Sequence, residues 1–449
     1  MKQFNRFDKI VIGFLCATAL AIGLVIWRGN QVGAQIISTY PSEGGEISAW
    51  ARVGIVFGQP MRTGTINSQL TIEPNTPGHI EWDANTLWFV PNWPFEPGAT
   101  YHLTLAPGGY ASDGRQVKQK LERVFTIRQP QIVYISTKSN QNELWSISPD
   151  GEAAHPLTST GGNVDDFAVS LDGEQIAYTV SNPQNGIDLW LVKRNGAQPK
   201  LLVNCLKDQC SQPAWSPDGK NIVYTRAAAG VGNESANSLS GVWDVDVLSG
   251  QTDYLFPGAN ATWSPDGLHL ADLDVKSGVV RIFNIQTGSG IQIKTASDYP
   301  PIWVPDSSRL IYADDQTAGG LPSPILQQVE MSSNQVSGFL SDDLDQMDFS
   351  MPAFSPDDQY LIIGLKVLNG GFNNQLWFMR ADGSNKKVLT TDQTYSNHSY
   401  HWDPSGKFVL FQQFQPEEPQ SAPHILLWSV DTGKFQVLAA NAALPAWLP

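Results

Sequence analysis

The side chains that could do chemistry here are mostly carboxylates and the rings beside them. Asp342, Asp343, Asp345 and Asp348 crowd the stretch "SDDLDQMDF". Asp165 and Asp166 are adjacent, Asp298 precedes Tyr299, and "TYSNHSY" carries Tyr395 and His398. Carboxylates at this density attract cations, divalent metals and basic protein surfaces, so these are the candidate binding residues. Two or three carboxylates meeting in a cleft would also suit work on sugars, if one were held protonated. Other chemistries lack their signatures. There is no Gly-x-Ser-x-Gly nucleophile elbow, no P-loop, no Gly-x-Gly-x-x-Gly in a β-α-β setting, no His-Glu-x-x-His and no EF-hand loop. His398 and His401 are spaced like a metal pair but have no third ligand nearby. The expectation is therefore a non-enzymatic binding protein with no catalytic residue, metal site or cofactor. The alternative is a carbohydrate-active enzyme or glycan-binding module of the cell envelope.

Two cysteines bear on where the chain works. Cys205 and Cys210 in "NCLKDQCSQ" are close enough for a small disulfide loop and too few for a metal site. An oxidising, extracytoplasmic compartment follows. The formal net charge of -15 excludes nucleic acid and disfavours an anionic lipid surface as partner of the folded part. At the N terminus, Lys2, Arg6 and Lys9 precede an uncharged apolar run over 10–27. That length is at the lower limit for a membrane-crossing helix, and the basic flank places the remainder outside the cytoplasm. A single-pass anchor over 1–30 in a bacterial cell membrane is expected. The alternative is secretion after signal cleavage near Ala34.

Residues 36–128 consist of short alternating runs, such as 53–57, 86–90 and 101–105, separated by Pro/Gly/Asn turns about every ten residues. This is a β-sandwich pattern. The words "YPSEGG", "VGIVFGQPM", "TLWFVP" and "EPGATYHLTL" resemble bacterial Ig-like domains of envelope proteins, which implies a spacer or adhesion role. Trp50, Trp82, Trp88 and Trp93 could stack on sugars, or fill the core and corners of such a sandwich.

From 131 to 449 one phrase recurs: "PAWSPDGKNIVYT", "ATWSPDGLHLADL", "PIWVPDSSRLIYA", "PAFSPDDQYLIIG" and "YHWDPSGKFVLFQ", with "DFAVSLDGEQIAYT" before them and "LPAWLP" at Pro449. Pro presets φ, Asp bonds nearby backbone, and Gly supplies the left-handed residue of a tight hairpin. Each phrase begins a four-stranded unit that cannot bury both faces alone, so units must stack, radially in a β-propeller. Taking Phe167, Trp215, Trp263, Trp303, Phe354, Trp402 and Trp447 as leaders, the spacings are 40 to 51 residues. The terminal leader lacks strands, and 131–158 offers three strands without a leader. Joining them gives seven blades closed by the N- and C-terminal strands. The repeats resemble the TolB-like, PD40 class of β-propeller, a likeness that implies fold more than function. The expected architecture is all-β: helix, Ig-like sandwich, seven-bladed propeller. The candidate residues fall on the loop-rich face, with loops over 227–240, 314–324, 369–374 and 413–423. A protein or envelope polymer is the expected partner there.

Overall fold

The computed structural model describes residues 6–31, 33–138, 141–161, 163–228, 241–318, 321–340, 347–367, 373–418 and 421–449. Asp342, Asp343 and Asp345 lie outside the described residues, as do parts of the four long loops. The chain divides into two compact units: 1–47 with 51–128, and 48–50 with 129–449.

The first unit opens with one helix, Arg6–Gln31, of 26 residues. Among the described residues no helix is long and apolar enough to cross a membrane. Two four-stranded sheets follow. One orders Ile36–Tyr40, Val53–Phe57, Thr86–Pro91 and Gly78–Asp83, and the other Gly45–Ile47, Leu121–Ile127, Thr100–Leu105 and Leu70–Glu73. Alternate residues of Thr86–Pro91 and Thr100–Leu105 are buried, as the period of two requires when one sheet face packs inward. Phe95, Tyr101 and Phe125 form a buried aromatic knot. Trp82 stands opposite Leu87 and Trp88 opposite Glu81, so the two project from opposite faces of one sheet. Trp82 stacks on Phe57 and donates to Asn67 Oδ1 at 3.1 Å. Trp88 lies over Gly54, with the Arg52 guanidinium 4.8 Å from its ring centre. No single platform collects them.

The second unit is built from four-stranded antiparallel modules, here numbered one to seven. Module one comprises Ala442–Leu448, Gln131–Ser136, Glu143–Ile147 and His155–Pro156. Modules two and three run from Val164–Val169 to Lys200–Val203 and from Gln209–Trp215 to Thr252–Phe256. Modules four and five run from Ala259–Trp263 to Gly290–Lys294 and from Ile302–Trp303 to Gln335–Phe339. Modules six and seven run from Met347–Phe354 to Lys387–Val388 and from Ser396–Trp402 to Phe435–Ala440. In module one the last strand of the chain pairs with the first, with Ala442 opposite Ser136 and Trp447 opposite Ile132.

Each module shares a buried apolar cluster with the next. Val133, Ile135 and Leu144 of module one pack with Ile176, Tyr178 and Val192 of module two. The seventh and first modules share one too, where Leu410, Ile425 and Leu427 meet Ile132, Ile147 and Trp447. The turn inside each repeat explains its spelling. The hydroxyls of Ser170, Ser216, Ser264 and Ser355 donate to the Asp two residues on at 2.5–2.7 Å. The same hydroxyls accept the backbone N–H of Gln175, Asn221, His269 and Tyr360 at 2.9–3.0 Å. In "DPSG" the roles swap: Asp403 accepts the Phe408 N–H at 2.7 Å and Ser405 donates to Asp403. Gly173, Gly219, Gly267 and Gly406 close these turns at φ 65° to 71°, and Ser307 and Asp358 take the same left-handed place elsewhere.

This register corrects one leader. Trp215 pairs with Ile222, Trp263 with Leu270 and Trp402 with Val409. The residue paired with Ile176 in module two is Val169, so Val169, and not Phe167, occupies the leader position. Four of the tryptophan leaders tie neighbours together. Trp215 Nε1 donates to Ala168 O, Trp402 to Ala353 O and Trp447 to His401 O at 3.0–3.2 Å, and Trp303 donates to Thr262 O at 3.4 Å. Each acceptor immediately precedes the leader of the preceding module.

Candidate functional site

The crossings from one module's outer strand to the next module's inner strand collect at one end of the modules, and the described candidate residues sit there. One residue position pins three of these crossings. Glu143 accepts from Thr158 Oγ1 and Thr160 N at 2.6 Å, Asp188 accepts the Cys205 N–H at 2.8 Å, and Gln375 Nε2 donates to Asp392 O and Tyr395 O. All three immediately precede a Leu-Trp pair in the third strand. That shared word was the signal that sequence reading passed over.

Asp166 has a structural task. Its Oδ1 accepts the Phe167 N–H at 2.8 Å and its Oδ2 accepts the Gln212 N–H of module three at 3.1 Å. Gln212 Oε1 in turn accepts the Asn260 N–H at 3.1 Å, and Gln412 Oε1 accepts the Leu444 N–H at 2.8 Å. The receiving N–H groups, of Gln212, Asn260 and Leu444, each lie three residues before a leader, so the same inner-strand position is tied to the preceding module in three places. Burial pushes the Asp166 carboxyl above its ordinary range, its two backbone hydrogen bonds oppose that, and Asp165 adds to it. Asp165 itself is exposed, in the bulge between Val164 and Asp166.

A second group brings four of the candidates together across modules five to seven. Tyr299 is half-buried, and its hydroxyl points at Asp348 Oδ1, 3.5 Å away. Burial, then the charges of Asp348, Asp298 and Asp315, push the Tyr299 hydroxyl above its ordinary value. Asp348 also accepts the Phe349 N–H at 2.9 Å. Two residues along the same strand, Ser350 Oγ accepts from Asn374 Nδ2 at 2.9 Å. Asn374 lies 3.4 Å from His398 Nε2, which is 2.8 Å from Ser396 Oγ. The His398 ring stacks on Phe414, and burial holds it below the ordinary histidine value. Beneath them Tyr400 is buried, donating to Met351 O at 2.5 Å and accepting the Gly364 N–H at 3.1 Å. Burial pushes its hydroxyl well up. Tyr395 contributes backbone to the pinned crossing of module seven. The group joins a carboxylate-ringed phenol to a neutral imidazole patch. Among the described residues no three His, Cys, Asp or Glu converge as a metal would require.

Cys205 and Cys210 are joined in a disulfide and fully buried. The bond clamps the crossing between modules two and three, where Ile187 pairs in parallel with Gln209.

No protein-family model matches the chain, and no curated protein does. Solved structures do. A prolyl endopeptidase aligns with a TM-score of 0.52 at 11% identity, over 85% of this chain and 51% of its own. The fold is a β-propeller. TolB from Acinetobacter baumannii aligns at TM-score 0.45 and 15% identity, over 85% of this chain and 83% of its own. The β-propeller domain of the trilobed protease from Pyrococcus furiosus aligns at 0.47 and 15%, over 62% and 84%. TolB-like and other β-propeller proteins are its structural neighbours, and the four-stranded modules, each packed on the next, are the blades. The expectation of a chain without enzymatic activity is corrected here. A prolyl endopeptidase, an enzyme, shares this fold, and the fold alone does not separate enzymes from binding proteins.

Proposed function

We propose that the chain is a propeller that binds a basic protein segment at the crossing end of blades five to seven. The reading is carried by Tyr299, whose hydroxyl sits among Asp298, Asp315 and Asp348. In a protein of net charge -15, such a group attracts a lysine- or arginine-rich partner and orients it through a phenol that donates and accepts. The seven blades form a ring closed by the pairing of Ala442–Leu448 with Gln131–Ser136, a reading supported by the apolar cluster common to blades seven and one. The sandwich over 36–128 serves as an Ig-like spacer. The helix Arg6–Gln31 holds the chain to a bacterial membrane, with the rest extracytoplasmic, a reading supported by its basic flank and apolar run.

The test uses the full chain in detergent micelles and a panel of lysine- and arginine-rich peptides. Wild-type protein should bind the best of them with an affinity that falls as salt rises. Asp298→Asn, Asp315→Asn and Asp348→Asn combined should weaken that binding tenfold or more and flatten its salt dependence. Equal affinity and salt dependence in the variant would overturn the proposal.

A further inference from the structure

Asp272 is a buried carboxylate that none of the preceding contacts employs. It lies near the crossing end of His269–Asp274 in blade four and has no exposed surface. Its hydrogen-bond donor among the described residues is a single guanidinium nitrogen: Arg281 Nη1 stands 3.3 and 3.2 Å from the two carboxylate oxygens. Arg281 is shared. The same nitrogen donates to Pro257 O at 2.5 Å, its Nη2 is 3.8 Å from Asp274, and its plane covers the Phe256 ring at 4.9 Å.

Pro257 and Gly258 are the whole crossing between the outer strand Thr252–Phe256 of blade three and the inner strand Ala259–Trp263 of blade four. Gly258 sits at φ +145°, and a Cβ there would fall 2.0 Å from Asp272 Oδ2. Only a bare backbone can lie this close over the carboxylate. The charged groups facing Asp272 are Arg281 on the neighbouring strand and Asp274 on its own. Blade three contributes the Phe256 ring, the Pro257 carbonyl and Gly258, none of them charged.

We propose that Asp272 makes this crossing a proton-controlled latch, closed while the carboxyl is protonated and loosened when it ionises. An enclosed carboxylate with one donor nitrogen is poorly solvated, and lifting the two-residue crossing would admit water to it. Burial pushes the Asp272 carboxyl up to about 7, opposed by Arg281 and reinforced by Asp274. With the crossing lifted, the group returns toward about 4. The closed form therefore holds the proton more tightly, so protons favour closure. Opening should increase as pH rises toward 7 and level off above it, by up to about tenfold per pH unit.

Amide hydrogen exchange of 256–261 in the full chain, corrected for intrinsic rate, tests this between pH 5.5 and 7.5. Wild-type opening should rise about tenfold or more, while amides of blade seven report on global stability. Asp272→Asn should abolish the rise. Should that variant fail to fold, Asp274→Asn keeps the latch and should move the rise to lower pH, because it removes a neighbouring negative charge. A rise of the same size and midpoint in Asp272→Asn, or none in wild type, would overturn the latch. An unmoved midpoint in Asp274→Asn would overturn it too.

Discussion

Asp165 and Asp166 are the same residue type side by side, and they hold opposite positions. The first is exposed, and the second binds the Gln212 N–H of the next blade. Sequence shows that both are acidic; which one has a backbone donor within reach depends on a bulge in the inner strand. Asp166→Ala would leave the Gln212 N–H without its acceptor and should cost about 1–3 kcal/mol. Asp165→Ala should stay within about 0.5 kcal/mol of wild type. Denaturant unfolding of the two variants makes the comparison. Tyr400→Phe should resemble Asp166→Ala, since it strands the Gly364 N–H in a buried seam. Tyr299 and Asp348 were legible as candidates, but their pairing across two blades was not, because 49 residues separate them. The partners Asn374 and Asp315 carried no motif.

The turn is the most legible element in the chain, because its chemistry is local. Ser, Pro, Asp and Gly act on one another within a few residues, and the hydroxyl-to-carboxylate bond recurs in the leader turns at Ser170, Ser216, Ser264 and Ser355. The leader of blade two was misplaced for the same reason in reverse. Phe167 is aromatic, but register is set by Ser170 and its bond to Asp172, which makes the leader a valine. At Gly219, where nothing lies within 4 Å of an added Cβ, Gly219→Ala should cost about 1 kcal/mol from backbone conformation alone. Gly219→Asn should cost less, since Asn tolerates the left-handed region. The difference in thermal midpoint reads it out. The disulfide is an element-level clamp on the crossing that Asp188 also pins. Thiol labelling of the folded chain without reductant should miss Cys205 and Cys210, and their replacement by Ala should cost about 2 kcal/mol for so short a loop. Quantitative labelling under those conditions would contradict the bond.

For the whole molecule, repetition made the β-propeller legible and the chemistry illegible, since the repeats encode packing and the site is made where they differ. Blade one takes its inner strand from the far end of the chain, and Arg194 Nη1 secures that end by donating to Gly173 O at 3.1 Å and Pro449 O at 3.0 Å. Deleting 442–449 should cost several kcal/mol, on the order expected for losing Trp447, Leu448 and a strand's burial, and Arg194→Ala about 1 kcal/mol. An unchanged melting temperature in the deletion would rule out that role for the strand. Stability should also depend on pH between about 4 and 7, between the ordinary carboxylate value and that of buried Asp272. Asp272 holds its proton to about 7, so the folded state binds more protons than the unfolded state below that value. Stability should then fall by up to about 1.4 kcal/mol per pH unit as pH rises through that window and level off above about 7, and Asp272→Asn should flatten the slope.

The pairing of Ala442–Leu448 with Gln131–Ser136 also has a consequence in time. Blade one is made early in synthesis without its innermost strand, which arrives about 300 residues later, on the order of 15 to 60 s at ordinary translation rates. Throughout that interval Gln131–Ser136 presents an unpaired β edge carrying Ile132, Val133 and Ile135, all buried in the finished protein. A nascent chain in this condition is a natural client for a holding chaperone, and ribosome-stalled chains truncated before Ala442 should be captured far more readily than released full-length protein.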